Sequence, residues 1–339
     1  MPFDFDPQAT TLSMPNAKLL GQASAVAYQN GATCRQWARD AGLDGDFDFF
    51  CSAGAVNNTD TSGFVAENDQ IVLVAFRGTQ PNVPVDWMSD FNALHETWGH
   101  PVGKVHKGFY EALRVVWGLP FNGKEILPAR LLNRGNRTVW ITGHSLGGAL
   151  AELCAAQAQF VSHVPVQGVY TFGQPRCGDE AYATLLQSAM GMRIFRFIND
   201  RDIVPRVPFY GMGFRHYGGE IFFNHQKQQV DIATALENLA AALKLGFGAV
   251  NFDPIETAVQ MTATAVKQAL FSGNVKAALD ELMKARENDA FGKDVQLLLA
   301  EGTENIADHN MTDCYLARLG TTLTLAAAAA ANETAPPLH

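Results

Sequence analysis

Val139-Trp140-Ile141-Thr142-Gly143-His144-Ser145-Leu146-Gly147-Gly148-Ala149-Leu150-Ala151 is the stretch that decides how this chain folds. An apolar, β-favouring run enters a G-x-S-x-G pentapeptide, and an Ala/Leu-rich run leaves it. The pattern is a strand, a sharp turn and a helix. Such a turn is strained and holds the serine hydroxyl out in the open. Gly143 and Gly147 leave room where side chains would collide with strand and helix. The helix then aims its first free N–H groups, and the positive end of its dipole, at a reacting oxygen. Five residues of this kind occur by chance, but the flanking strand and helix supply the context that makes Ser145 a candidate nucleophile.

The same texture continues outward. Phe47–Cys51, Gly63–Val65, Ile71–Phe76, Val139–Thr142, Val169–Phe172 and Arg193–Ile198 are short strand-like runs. Helical spacing lies between them at 108–117, 146–160 and 179–189, and before them at 19–27 and 34–41. Strands alternating with helices predict a mainly parallel α/β sheet. Residues 1–15, with Pro2, Pro7 and Pro15, read as an extended arm. From Asp231 to about Glu301 the apolar residues fall on helical stripes, after caps such as Asp253-Pro254.

A serine needs a base and an acid partner, and in this architecture the chain order is Ser, Asp or Glu, then His. The carboxylates after Ser145 cluster in Asn199-Asp200-Arg201-Asp202-Ile203-Val204-Pro205, where a strand ends in a polar loop. Asp200 and Asp202 both qualify by position. Of the histidines that follow, His216 and His225 flank the strand-like Ile221-Phe222-Phe223 and read as surface or packing residues. His309, in Asp308-His309-Asn310-Met311, lies in a loop before a final helix and is the better placed base. One oxyanion donor would be the N–H of Leu146. The other would come from the loop Phe76-Arg77-Gly78-Thr79, which ends an earlier apolar strand.

These segments together resemble the fungal-type, class 3 lipase family of the α/β-hydrolase superfamily. The similarity is carried, in the family's order, by Ile71–Thr79, Asp86-Trp87-Met88-Ser89-Asp90, His106-Lys107-Gly108-Phe109, the Gly143–Gly148 elbow, Tyr170–Gly178, Asp202–Pro208, and Asp308-His309 ahead of Tyr315-Leu316. The resemblance implies an α/β-hydrolase fold and an ester hydrolase of the lipase type. It implies Ser145 as nucleophile, Asp202 as acid, His309 as base, and Thr79 and Leu146 as oxyanion donors. It also implies a lid within Gln80–Leu94. There Pro81 and Pro84 break regular structure, and Val83, Val85, Trp87, Met88 and Phe91 offer an apolar face to lipid. Between Asp202 and His309 lie the helical stripes of 231–300, read as an insertion within one α/β-hydrolase domain over 1–339 and as a candidate cap. Phospholipase A1, galactolipase and feruloyl esterase activities share such a triad. A lipase-like scaffold kept for protein binding is the reading outside enzymology, and such scaffolds often lose a triad residue, whereas all three are here.

Composition sets the outer bounds. The chain has 339 residues, is 47% apolar and 17% charged, and carries a net charge of −9. That describes a core-rich globular protein and excludes disorder. The acidic balance, with no basic stripe, argues against nucleic-acid binding. The expected partner is a lipid or ester substrate at a lipid–water interface. Five scattered cysteines without a CxxC pair predict neither a zinc ribbon nor a disulfide framework. His95, His100 and His106 lack i, i+4 spacing and a carboxylate, so no metal is expected and no organic cofactor is called for. No run of 18 apolar residues predicts a transmembrane span. The N-terminus has neither a basic n-region nor an apolar h-region, so no signal peptide is expected. That leaves a cytoplasmic protein or a mature or leaderless secreted form.

Overall fold

The computed structural model describes residues 4–52, 61–78, 94–118, 120–121, 124–199, 202, 204–208, 212–223 and 309–320. Within them, seven apolar runs pair side by side. They are β1 (Phe47–Cys51), β2 (Ser62–Glu67), β3 (Ile71–Phe76), β4 (Thr138–His144), β5 (Gly168–Phe172), β6 (Ile194–Asn199) and β7 (Gly219–Phe223). The strands lie across the sheet in chain order. β1, β2 and β3 are antiparallel, and β3 to β7 are parallel. This is the mainly parallel sheet expected of an α/β-hydrolase. β3 and β4 register Phe76 against Gly143, and β4 and β5 register His144 against Phe172, so the edge that bears the serine turn is common to three strands.

Every residue of β2, β3 and β5 is buried, and β3 is an uninterrupted apolar run, as a strand covered on both faces tends to be. The two faces are covered differently. Crossovers between parallel strands are right-handed. When such strands are laid down in chain order, every crossover helix arrives on the same face. Accordingly α3 (Lys107–Gly118), α4 (Ile126–Leu132), α5 (Leu146–Ala156) and α6 (Glu180–Met190) share one core, where Phe109, Leu113, Leu127, Leu150, Leu153 and Leu186 meet Val72, Val74, Phe76 and Ile141. Among the described residues, no crossover helix reaches the opposite face. It is covered instead by α1 (Met14–Val26), α2 (Gly31–Asp40) and the C-terminal segment 309–320. Leu20, Trp37, Tyr315, Leu316 and Leu319 pack there against Ile71, Leu73, Trp140, Tyr170 and Phe172. Residues 14–40 and 309–320, far apart in sequence, thereby share one core.

Two boundaries differ from the sequence reading. α1 starts at Met14, within the stretch read as an extended arm, because Ser13 accepts the Asn16 N–H and Pro15 is preset for the first turn. The helix expected over 146–160 is α-helical only to Ala156. It widens into a π-turn over Gln157–Val161, closed by the Ser162 N–H on the Gln157 carbonyl at 3.0 Å. No disulfide joins the five cysteines. Among the described residues, no helix is long and apolar enough to cross a membrane. The expected insertion 231–300 and the Gln80–Leu94 segment, Leu94 apart, lie outside the described residues.

Glu152, on the inner face of α5, is a charge-bearing residue buried beneath the site. It is 1% exposed and accepts a hydrogen bond from the Gln174 amide. Burial pushes its carboxyl up to about 8, and the Gln174 bond and the Arg196 charge offset this only in part. A carboxyl with a raised folded value stabilises the fold below its unfolded value near 4.5, and that stabilisation fades as pH rises through about 8. We expect Glu152→Gln to remove a pH-dependent term on the order of 4 kcal/mol between pH 5 and 9. Neutral His106, His144 and His216 act in the opposite sense at acid pH. The check is therefore the wild-type minus variant difference in urea midpoint, which should close as pH falls. A difference that stays constant across pH would contradict a protonated Glu152.

Candidate active site

β4 delivers Ser145 to the turn, and α5 begins at the next residue. Ser145 has φ 59° and ψ −131°, a region that side chains other than glycine rarely occupy. Two hydrogen bonds hold it there. Its N–H donates to the Phe172 carbonyl at 2.9 Å, and its own carbonyl accepts from the Gly148 N–H at 2.9 Å. A Cβ on Gly143 would strike the Gly147 carbonyl, and one on Gly147 would strike that of Phe76, so the strand and helix close only because both residues lack one. Leu146 is the first residue of α5, and its N–H is one of the donors that a helix start leaves without an intrahelical acceptor.

Asp202 lies just beyond the end of β6 and is fully buried. Its Oδ1 accepts the Val204 N–H at 2.9 Å. Its Oδ2 accepts from His309 Nδ1 at 2.7 Å and from the Tyr315 hydroxyl at 2.5 Å. The loop around it is clamped as well. Asp202 N–H donates to Asn199 O at 2.8 Å, Arg206 Nε to Asp202 O at 3.3 Å, His216 Nε2 to Pro205 O at 2.6 Å, and Arg176 Nη1 to Pro208 O at 2.9 Å. A carboxylate only accepts, so His309 presents Nδ1–H to it, and in the neutral ring Nε2 carries the lone pair. His309 is 7% exposed, and its Nε2 has no hydrogen-bond partner among the described residues. That is the state in which a general base waits for a proton.

Gly173 brings this pair to the serine turn. It follows Phe172, the residue that binds the Ser145 N–H, and it has φ +58°. A Cβ there would stand 2.7 Å from Asp202 Oδ2 and 2.8 Å from His309 Nδ1. The His309 ring also stacks on that of His144, the residue before the serine, with centroids 4.4 Å apart. Thus Ser145, Asp202 and His309 gather at one edge of the sheet from three separate segments.

Other residues singled out in the sequence fall as follows. His216 is half-buried, and its shielding from water, with the Arg196 and Arg176 charges nearby, holds it well below the usual histidine range. It packs the acid loop. His106 stacks on Phe109 at 4.1 Å, in a short strand paired with His95. Among the described residues, no group of three His, Cys, Asp or Glu side chains is placed to hold a metal. Thr79, Val83, Val85, Trp87, Met88, Phe91, Asp200 and His225 lie outside the described residues.

Sequence reasoning missed the part played by Tyr315. Its hydroxyl donates to Asp202 Oδ2 and accepts the Asn199 N–H at 3.1 Å. The available signal was its place six residues after His309, on the one segment certain to travel with that imidazole. Tyr315→Phe should leave Asp202 one donor short and remove the hydroxyl that accepts the Asn199 N–H. We expect a loss of about 1–3 kcal/mol in stability and roughly tenfold in kcat, read by urea unfolding and by ester hydrolysis. A variant with unchanged kcat would show that the other donors suffice to hold Asp202.

Residues 73–212 match the family model described as Lipase (class 3). A lipase of Rhizomucor miehei is 33% identical over 187 residues, which is 52% of this chain and 49% of that protein. A triacylglycerol lipase of Ricinus communis is 29% identical over 257 residues, covering 60% of this chain and 48% of its own. The chain thus spans about half the length of these curated relatives. The structure of Rhizomucor miehei triacylglyceride lipase superposes with a TM-score of 0.51 at 27% identity, over 62% of this chain and 79% of that one.

Proposed function

We propose that this chain, whose residues 73–212 match the class 3 lipase family and whose fold is that of an α/β-hydrolase, hydrolyses the carboxylic esters of acylglycerols through Ser145, His309 and Asp202. The observation that supports this most directly is the 2.7 Å bond from His309 Nδ1 to Asp202, seated on Gly173 beside the serine turn. His309 Nε2 takes the proton of Ser145 as its oxygen attacks the ester carbonyl. The oxyanion that forms is held by the Leu146 N–H and, in this reading, by Thr79. His309 then gives the proton to the departing alcohol, and water repeats the sequence on the acyl-enzyme. Asp202 keeps the imidazole in the right tautomer and stabilises its charged form, with Tyr315 and Val204 holding the carboxylate still.

Acylglycerol is the proposed substrate class because the relatives are named for it. The segment 80–94 supplies apolar residues, Val83, Val85, Trp87, Met88 and Phe91, of the kind a lipid–water interface would accept. The test is product analysis on triolein, a phosphatidylcholine and a short-chain p-nitrophenyl ester. We expect fatty acid and diacylglycerol from triolein, and a disproportionate rise in rate once a partly soluble ester forms droplets. Exposing a few hundred Å² of apolar surface costs several kcal/mol in water, at ~25 cal/mol per Å², and the interface offsets that cost. Lysophospholipid as the dominant product would instead favour a phospholipase, and no acid from any of the three would remove the hydrolase reading.

A further inference from the structure

We propose that His144 and Tyr28 form a positioning relay that holds the His309 backbone beside the serine turn, so that the base is set by a hydrogen-bonded chain running through the residue before the nucleophile. The proposal rests on the ester-hydrolase reading above and deepens it.

His144 has both ring nitrogens engaged. Nε2 meets the His309 carbonyl oxygen at 2.7 Å, and Nδ1 meets the Tyr28 hydroxyl at 2.9 Å. A carbonyl cannot donate, so Nε2 carries the hydrogen. The ring is 4% exposed, and burial with His309 alongside holds it well below the usual histidine range, so it is neutral. Nδ1 is therefore an acceptor, and the Tyr28 hydroxyl donates to it. The Tyr28 hydroxyl also lies against Gly78, the residue before Thr79. The directions form one series: Tyr28 O–H to His144, and His144 N–H to the His309 carbonyl.

The close approach at Gly78 shows how tight the series is. A Cβ there would strike the Tyr28 hydroxyl and stand 2.6 Å from the His144 carbonyl oxygen and 3.0 Å from Ser145 Cβ. The relay therefore passes directly beside the nucleophile. Ordinary packing would account for a buried aromatic residue at position 144, but not for two satisfied nitrogens whose partners are the backbone of the base and the Tyr28 hydroxyl. The His144 face lies against the His309 ring, tilted by 30°. A neutral ring in that place tolerates the imidazolium that forms in each half-reaction, whereas a cation would repel it.

The experiment compares Tyr28→Phe, His144→Leu and His144→Gln with wild type and Ser145→Ala. It reads kcat and KM on a soluble p-nitrophenyl ester, with competent sites counted by an alkylphosphonate, and the low-field proton spectrum that reports the His309–Asp202 hydrogen. We expect His144→Leu to lower kcat per competent site about 30–100-fold with KM within about threefold, and His144→Gln, which keeps a donor near Nε2, to recover about tenfold. Tyr28→Phe should lose about fivefold, and the Tyr28→Phe/His144→Leu double variant should be no worse than His144→Leu alone. The low-field resonance should broaden in His144→Leu and Tyr28→Phe. His144→Leu within about threefold of wild type, Gln as impaired as Leu, or additive losses in the double variant would each overturn the relay. If wild type hydrolyses none of the esters, the hydrolase reading fails separately and the resonance decides the relay: unchanged in Tyr28→Phe, it is overturned. If His144→Leu does not fold, the Tyr28→Phe and His144→Gln pair decides.

Discussion

Ser145→Ala is expected to lower ester hydrolysis by about 10⁴-fold or more while the protein stays folded. Nucleophile and base act as a unit, so removing the attacking oxygen leaves only what the oxyanion hole and substrate binding supply. The fold should survive because the turn is held by backbone, through the Phe172 and Gly148 hydrogen bonds, and by the two glycines. The check is kcat on a short-chain ester beside far-UV dichroism and a urea midpoint. An alanine variant with a tenth of wild-type turnover would sink the assignment. A companion variant tests the strain itself. With φ 59° and ψ −131°, position 145 lies where glycine is at ease, and such positions cost of order 1–3 kcal/mol. Ser145→Gly should therefore be inactive yet more stable than Ser145→Ala.

The second large effect is expected at the acid–base pair. Asp202→Asn should lower kcat by about 10³–10⁴-fold. The carboxylate accepts from His309, Tyr315 and the Val204 N–H at once. An amide turns one of its two atoms into a donor, so at least one of these bonds becomes a clash of hydrogens or the imidazole takes the wrong tautomer. His309→Ala should match Ser145→Ala, while His216→Ala should keep most turnover per folded molecule and lose stability, since it packs the acid loop. Asp200→Asn should be mild. Steady-state kinetics on the four variants settles the assignment, and a dead Asp200 variant beside an active Asp202 variant would move the acid by two residues.

The elbow was legible because its chemistry is local. Strand, turn and helix are consecutive, and the glycine requirement acts between residues four apart, so Gly143, Ser145 and Gly147 announce the turn in the sequence. Alternation in β3 was equally plain: residues 72, 74 and 76 face one core and residues 71, 73 and 75 the other, as the apolar run and the pleat dictate. Order along the chain also narrowed the acid to two aspartates and the base to three histidines. The resemblance to a known family, rather than the residues themselves, chose Asp202 over Asp200.

Other parts were not legible, for physical reasons. His144 occupies the variable place of G-x-S-x-G, and nothing nearby says that its two nitrogens face Tyr28, 116 residues earlier, and the His309 carbonyl, 165 residues later. Tyr315 reads as one more aromatic on a C-terminal helix until the sheet places Asp202 against it. The sequence by itself determined the elements, the serine turn and the candidate set, because propensity, pleat and turn sterics act over a few residues. Tertiary structure alone decided which aspartate oxygen meets which imidazole, and that α1 and the C-terminal segment share a face of the sheet. Those outcomes depend on the hand of the crossovers and on burial, which cost a polar group dearly unless a partner from elsewhere in the chain arrives at hydrogen-bonding distance.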